Sequence, residues 1–470
     1  MLFESSVRGL RNSLKISPGP DFEVDLPRID ACHPVYYARR LLIFRCISDE
    51  HRDAQLSGLK RGMKALVQRC PLLAGKLSRL PPDKASTQVD EWRMIVPSEG
   101  LGFSVRDLRE KLPTFAALEK ENFPPTELKY TLLVPIPKDV GSEGPACRIQ
   151  YSAIKGGAIL CWAMSHSVGD GGANNELIRV LAEEIKLASE SRDEQNGDQR
   201  VLSLDRGAVI DIKSDIPFQV EEHPDYRARP PPPTPDEASE RANHPFRATK
   251  PEIPLIFTIP PTSLEQLKTD ATPPAPAWIS THDALVALIW RTQIRLHRQR
   301  SPAAQALPNT TLTTLYMPSD ARKALSLPSA YIGNAIYQLS ATLPLSTLLS
   351  ENGLQSAALA IRHAIVSATP EKVKSYYAKM GEEWVKWAFL GSYDTTGVAM
   401  GTAWTSSAIY DFDWGEHFGK MVSYRMPNEA SNIVLPKLRN GGAEIALGLM
   451  PDEVEKLRAM EEFMEYVDRH

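Results

Sequence analysis

The sequence is poor in the features that would mark it as disulfide-rich, membrane-spanning or nucleic-acid-binding. Its five cysteines, Cys32, Cys46, Cys70, Cys147 and Cys161, are odd in number, confined to the leading part of the chain and free of any CxxC pair. That set makes a poor disulfide framework and a poor zinc site, and reads as free thiols buried in a reducing compartment. No apolar run approaches the ~20 residues that cross a bilayer; the longest covers 158–164. Residues 1–17 show neither the continuous apolar stretch nor the small-residue cleavage site of a secretory signal, so the expected location is cytoplasmic. Neither sign of charge prevails: 54 Lys and Arg face 58 Asp and Glu, a net charge of -4. Nucleic acid and membrane surfaces are therefore not expected partners. No internal repeat of 20–50 residues is visible.

What is present is an ordinary globular composition, 42% apolar and 24% charged, in a chain of 470 residues. That length exceeds the ~250–300 at which one core stops growing, so two domains are expected. Residues 35–46 are rich in aliphatic and aromatic side chains and predict a strand. Leu59, Met63, Leu66 and Val67 predict an amphipathic helix over 57–77. Short strands are expected at 92–96 and 102–105. A hairpin is expected from 147–154 and 158–165 around Lys155-Gly156-Gly157, then a loop over 166–172 and a helix over 174–188. From 190 the chain turns polar and then proline-rich, with Pro230 to Pro233 in succession. Proline fixes φ and removes amide donors, so 191–250 reads as a crossover between an N-terminal domain, 1–190, and a C-terminal one, 251–470. In that second part Ser280 with Asp283 reads as a capping box before a helix over 284–296. A strand is expected at 311–317, and an antiparallel pair, 431–435 with 444–450, around Asn440-Gly441-Gly442. Pro451 is expected to open the last helix.

The chemistry points to His166-Ser167-Val168-Gly169-Asp170-Gly171-Gly172. Histidine is the side chain that accepts and returns a proton near neutral pH, and here it stands where a buried strand gives way to a helix. The glycines let backbone and substrate approach closely. HxxxD spacing alone does not decide the matter, since such a histidine can equally cap a helix or fill a polar pocket. A metal held by His166 and Asp170 lacks an evident third ligand. His282 reads as a solvent-facing helix-start residue and His417 as a turn residue. Trp278, Trp290, Trp384, Trp387 and Trp404 read as core.

The context of that loop resembles the BAHD acyltransferases, and among them the fungal trichothecene 3-O-acetyltransferase-like branch. The resemblance spans nearly the whole chain. It rests on the HxxxDG element from His166 to Gly171, on Pro71-Leu72-Leu73-Ala74-Gly75-Lys76-Leu77, and on Ser280-Thr281-His282-Asp283-Ala284-Leu285 with Trp290. Asp320-Ala321-Arg322 followed by Pro328, Tyr331, Gly333 and Asn334 adds a further element. Near the C-terminus Asp411-Phe412-Asp413-Trp414-Gly415 departs from the DFGWG of the plant proteins. Trp404 upstream and Gly419-Lys420 downstream select Asp413, Trp414 and Gly415 as the matching positions.

The resemblance implies an α/β (α+β) fold of two chloramphenicol-acetyltransferase-like domains, mixed sheets flanked by helices, with a channel between them. It implies His166 as general base, Asp170, Gly171 and Arg322 as residues that shape and orient the site (Asp170 ion-paired with Arg322), and a structural part for Asp413, Trp414 and Gly415. No permanently bound cofactor or metal is expected. Acyl-CoA, with acetyl-CoA as the expected form, serves as co-substrate, and the acceptor is a small-molecule alcohol or amine of secondary-metabolite type. The acyl group passes directly in a ternary complex, since no Ser or Cys is set beside His166 as a carrier; Ser167 should point away from it. A monomer suffices. Two rivals remain at this level: a condensation-type enzyme that takes its acyl group from a carrier protein, against which Ser165 stands where a second histidine is common, and a non-catalytic binding relative.

Overall fold

The computed structural model describes residues 13–16, 22–31, 36–79, 92–96, 100–138, 143–190, 201–210, 212–223, 226–228, 234–383, 387–389, 396–427 and 430–468. The chain divides into two compact units. One comprises Met1–Asp211, Ser326–Ala335 and Ala408–Asn428; the other Ile212–Leu325, Ile336–Ser407 and Glu429–His470.

The first unit is built on a six-stranded sheet in the order Ser13–Ile16, Leu101–Asp107, Cys147–Ile154, Gly157–Ser165, Tyr37–Arg45, Ser423–Arg425. Only the pairing of Leu101–Asp107 with Cys147–Ile154 is parallel. All nine residues of Gly157–Ser165 are buried, which is why this strand reads as a continuous apolar run instead of an alternating one. The hairpin turns at Lys155-Gly156, where Gly156 takes φ +81°, a conformation that costs a residue with a Cβ. Helices Asp49–Arg69 and Gly171–Ser189 pack on each other. A Cβ at Gly62 would lie 2.6 Å from Ile185 Cγ1, so glycine sets how near the two axes come. Elsewhere Leu108, Phe115, Phe123, Leu128 and Tyr130 gather on Ile43, Ile159 and Cys161 of the sheet.

The helix expected over 57–77 starts earlier and stops sooner. Ser48 caps it by accepting from His51 N at 3.1 Å, and Cys70 leaves helical geometry just before Pro71. The Pro71–Ala74 turn then feeds strand Lys76–Arg79, part of a four-stranded sheet with Phe22–Asp25, Trp92–Val96 and Gly144–Pro145. Cys32 and Val35 lie outside the described residues; Cys46, Cys70, Cys147 and Cys161 are buried thiols in no disulfide.

The second unit carries its own six-stranded mixed sheet, in the order Ile253–Ile259, Ala443–Leu449, Asn432–Val434, Val398–Ala403, Leu312–Asp320, Ile336–Pro344. Helices Pro261–Ala271, Thr281–Arg298 and Gly353–Ser367 pack together beside it. The Ser280–Asp283 capping box is present, and Asn432–Val434 pairs antiparallel with Ala443–Leu449. Pro451 stands two residues ahead of the helix Glu453–Arg458 instead of at its first position. Of the tryptophans, Trp290 is buried and Trp404 half-buried, Trp278 is 60% exposed, and Trp384 and the side chain of Trp387 lie outside the described residues.

The contiguous division at 190 and 250 differs from these units. Ser203 N donates to Ala330 O at 3.0 Å and Ile332 N to Ser203 O at 2.8 Å, tying residues after 200 into the first unit. Strand Ser423–Arg425 pairs with Tyr37–Arg45 and brings a late segment back to the same sheet. Within the expected crossover, Pro235–Ala242 is a helix with a Thr234–Glu237 capping box and no buried side chain. Tyr226–Ala228 pairs with Trp387–Phe389. Pro230 to Pro233 lie outside the described residues.

Candidate active site

His166 is the first residue beyond strand Gly157–Ser165. Its backbone N donates to Tyr36 O at 2.8 Å, carrying the pairing with the neighbouring strand one step further. The half-buried ring tilts 31° against Tyr36, centroids 5.5 Å apart. Burial pushes the His166 pKa below its ordinary value, with the Asp170 charge opposing. The imidazole is therefore neutral near pH 7 and has a lone pair to offer.

Beyond His166 N, the polar groups of the loop from 166 to 170 are met in another way. Val168 N donates to Ser165 O at 3.0 Å. Asp170 is the N-cap of helix Gly171–Ser189: its Oδ1 accepts from Ala173 N at 2.9 Å, and a carboxylate there also suits the helix dipole. Its Oδ2 accepts from Ala335 N at 2.9 Å. Asn174 Nδ2 donates to Asp170 O at 2.9 Å, while its Oδ1 accepts from Trp162 Nε1 at 2.9 Å, fastening the helix start to the strand. Glycine is required at 169, where a Cβ would come 2.6 Å from that of Ala173. Gly171 opens the helix. Ser167 is 1% exposed.

Beneath the loop lies a group of residues that sequence reasoning missed. Asn334 Nδ2 donates to His166 O at 2.8 Å, and Arg206 Nη2 donates to Val168 O at 2.7 Å. Both donors meet on Asp30. Its Oδ1 accepts from Asn334 Nδ2 at 2.7 Å and Asn334 N at 2.9 Å; its Oδ2 accepts from Arg206 Nη1 at 2.5 Å. All three side chains are buried. Desolvation pushes the Asp30 pKa up, and the Arg206 charge and the Asn334 hydrogen bonds pull it back. Asn334 stood in a recognisable sequence element, but Asp30 lies outside any periodic pattern and Arg206 in a stretch that reads as linker.

His166, Asp170 and Gly171 thus stand together in one loop. Arg322 falls in the second unit, just after strand Leu312–Asp320, and its Nη1 pairs with Asp320 at 3.1 Å. Asp413, Trp414 and Gly415 belong to the first unit but sit at the other end of the long helix. Asp413 pairs with Lys186 at 2.7 Å and accepts from Gly415 N at 3.0 Å. Gly415 takes φ +74°, and a Cβ there would lie 2.9 Å from Lys186 Cα. Trp414 is buried edge-on to Phe44, centroids 5.0 Å apart. At 1.5 Å rise per residue, Lys186 is about 22 Å along the helix from Gly171. Asp411, the other register, is exposed.

A family model described as the Transferase family matches residues 16–464. A Penicillium crustosum protein called an enoyl-CoA isomerase/hydratase is 28% identical over 96% of this chain, yet the chain spans about half of that relative, 51%. An eremophilane O-acetyltransferase of Penicillium rubens is 24% identical over 93% of this chain and 97% of its own length. In fold, the chain is similar to the crystal structure of Fusarium sporotrichioides TRI101 complexed with coenzyme A and T-2: TM-score 0.78, 22% identity, 95% of this chain and 99% of that one covered. No helix among the described residues is long and apolar enough to cross a membrane. A family match across nearly the whole length, joined to an HxxxDG loop that starts a helix from a buried strand, makes this chain a member of the Transferase family, the BAHD acyltransferases.

Proposed function

We propose that the chain is an acyl-CoA-dependent O-acyltransferase that moves acetyl to a hydroxyl of a secondary-metabolite-type small molecule, with His166 as general base. The observation that carries this reading is a neutral, half-buried imidazole on a loop whose carbonyls are clamped from below. Acetyl-CoA as co-substrate is supported by relatives: one is an eremophilane O-acetyltransferase, and TRI101 crystallised with coenzyme A.

In the reaction, His166 takes the proton of the acceptor hydroxyl as its oxygen attacks the thioester carbonyl. A tetrahedral oxyanion forms and collapses, the C–S bond breaks, and the imidazolium returns the proton to the departing CoA thiolate. Transfer is direct, in a ternary complex; the buried Ser167 is no acyl carrier. Asp170 and Gly171 shape the loop, Arg322 orients the site, and Asp413, Trp414 and Gly415 hold the far end of the helix. The enzyme acts in the cytoplasm as a monomer.

The test is CoA-thiol release from acetyl-CoA in the presence of an acceptor library, with products read by mass spectrometry. His166→Ala should lower kcat by about 10²–10⁴-fold with an unchanged melting curve. Turnover of a carrier-protein-bound acyl donor but not of acyl-CoA would overturn the donor; full activity in His166→Ala would overturn the base.

A further inference from the structure

The candidate base is held through its backbone, and the holding is done by three residues from three distant parts of the chain. Carbonyl oxygens 166 and 168 both turn toward the interior, where a C=O without a donor is costly. One takes the amide of Asn334, the other the guanidinium of Arg206. These two donors are themselves fixed by sharing the Asp30 carboxylate, one on each oxygen. The Asn334 amide can stand only one way round. Turned over, its oxygen would face two acceptors, Asp30 Oδ1 and His166 O.

A fully buried carboxylate needs both partners in place, since an ionised group left without them in the interior is strongly disfavoured. The three side chains therefore form together or not at all. The peptide plane after His166 then has one orientation, and with it the direction in which the imidazole leaves the backbone. Segment 333–335 adds a second grip: Gly333 O accepts from Asp170 N at 3.4 Å and Ala335 N donates to Asp170 Oδ2.

We propose that Asp30, Arg206 and Asn334 are positioning residues for proton transfer, acting through the His166 and Val168 carbonyls, with Asn334 the most direct of the three. This rests on His166 being the base. A displacement of about 1 Å between reacting groups costs on the order of 100-fold in rate, so a loop released at one carbonyl slows the chemistry and leaves substrate binding alone.

The experiment is a double-mutant cycle between Asn334→Ala and His166→Ala, each variant assayed at a temperature where circular dichroism shows it folded. Asn334→Ala should lower kcat by about 10–100-fold with KM for acetyl-CoA and acceptor within threefold. In the His166→Ala background the same substitution should cost less than twofold, because the group it positions is gone. Arg206→Lys retains the charge but not the fork that spans Asp30 and Val168 O; it should show a smaller loss of the same kind, and it replaces Asn334→Ala in the cycle if that variant does not fold. A folded Asn334→Ala with kcat within twofold of the parent overturns the proposal, and so does an undiminished loss in the His166→Ala background. If neither variant folds, the trio is a folding element and the proposal falls. Full activity of His166→Ala by itself refutes the base, a separate outcome.

Discussion

Each unit buries an aspartate against an arginine at the start of a long helix, and the two knots differ in what their outer ends hold. In the second unit Asp283 Oδ2 accepts from Ser280 N at 2.7 Å and Arg362 Nε at 2.8 Å, and Arg362 Nη2 reaches Ser280 Oγ at 2.7 Å. That knot closes on its own helix cap, with the guanidinium 4.5 Å from the exposed Trp278 ring. In the first unit the Asp30–Arg206–Asn334 knot reaches out to two carbonyls of a loop carrying a histidine. One ends in architecture, the other in orientation of a reacting group. The histidines follow suit. His282, half-buried instead of solvent-facing, meets Thr405 Oγ1 at 3.4 Å, whereas His166 carries the backbone carbonyl that Asn334 holds.

The comparison can be broken most forcefully at His166. His166→Ala should remove about 10²–10⁴ of turnover without moving the thermal midpoint, which a thiol-release assay and a melting curve check together. Asp283→Asn should do the reverse, costing about 3 kcal/mol by depriving half-buried Arg362 of its charged partner while turnover per folded molecule stays within twofold; urea titration with active-site titration separates the two. A drop in rate equal to that of Asn334→Ala would erase the distinction between the knots.

Acid should act on the second unit. His223 is buried between Tyr337 Oη at 3.0 Å and Ser375 Oγ at 3.2 Å, stacked on Phe218; burial and then the Lys372 charge push its pKa down to about 4. Burial and Arg300 push His297 to about 3. The folded state keeps both neutral while the unfolded chain protonates them near 6.5, so their stabilisation is complete above about 6.5 and is lost as pH falls toward 4. Urea midpoints between those limits should decline, and less steeply in His223→Gln; identical slopes would remove His223 from the account. The smallest effect belongs to Tyr337→Phe, which deletes one hydrogen bond to that ring. It should cost about 1 kcal/mol at pH 7, growing as the ring protonates and the Tyr337 oxygen becomes the acceptor for a buried charge.

Sequence reading went furthest where local chemistry speaks for itself. The Gly156 hairpin, the Ser280 capping box, the strand at 92–96 and the helix after Asp170 all announce themselves through turn residues, caps and runs of one period. The HxxxDG loop was legible for the same reason, and its family context came from elements such as Pro71–Lys76. Non-local pairings were not legible. Nothing in Ser423–Arg425 says which strand it joins, and nothing near Asp30 says that its carboxylate will lie under residues 166–168. Arg206 was hidden because the polar run before it and the proline run after it made the whole of 191–250 read as a crossover. The early start of helix Asp49–Arg69 was missed because its first two turns are polar, and only the Ser48 cap marks them.

The return of residues 408–428 to the first sheet has a consequence for how a ribosome must make this molecule. At ~5–20 residues per second, translation runs for roughly 13–50 s after the bulk of that sheet has emerged before Ser423–Arg425 exists to cover the edge of Tyr37–Arg45. During that interval the unpaired backbone edge of that strand is open to other nascent chains. Expression of the leading half by itself should yield aggregates, and slowing synthesis between the two halves should depress recovery more than slowing it anywhere later.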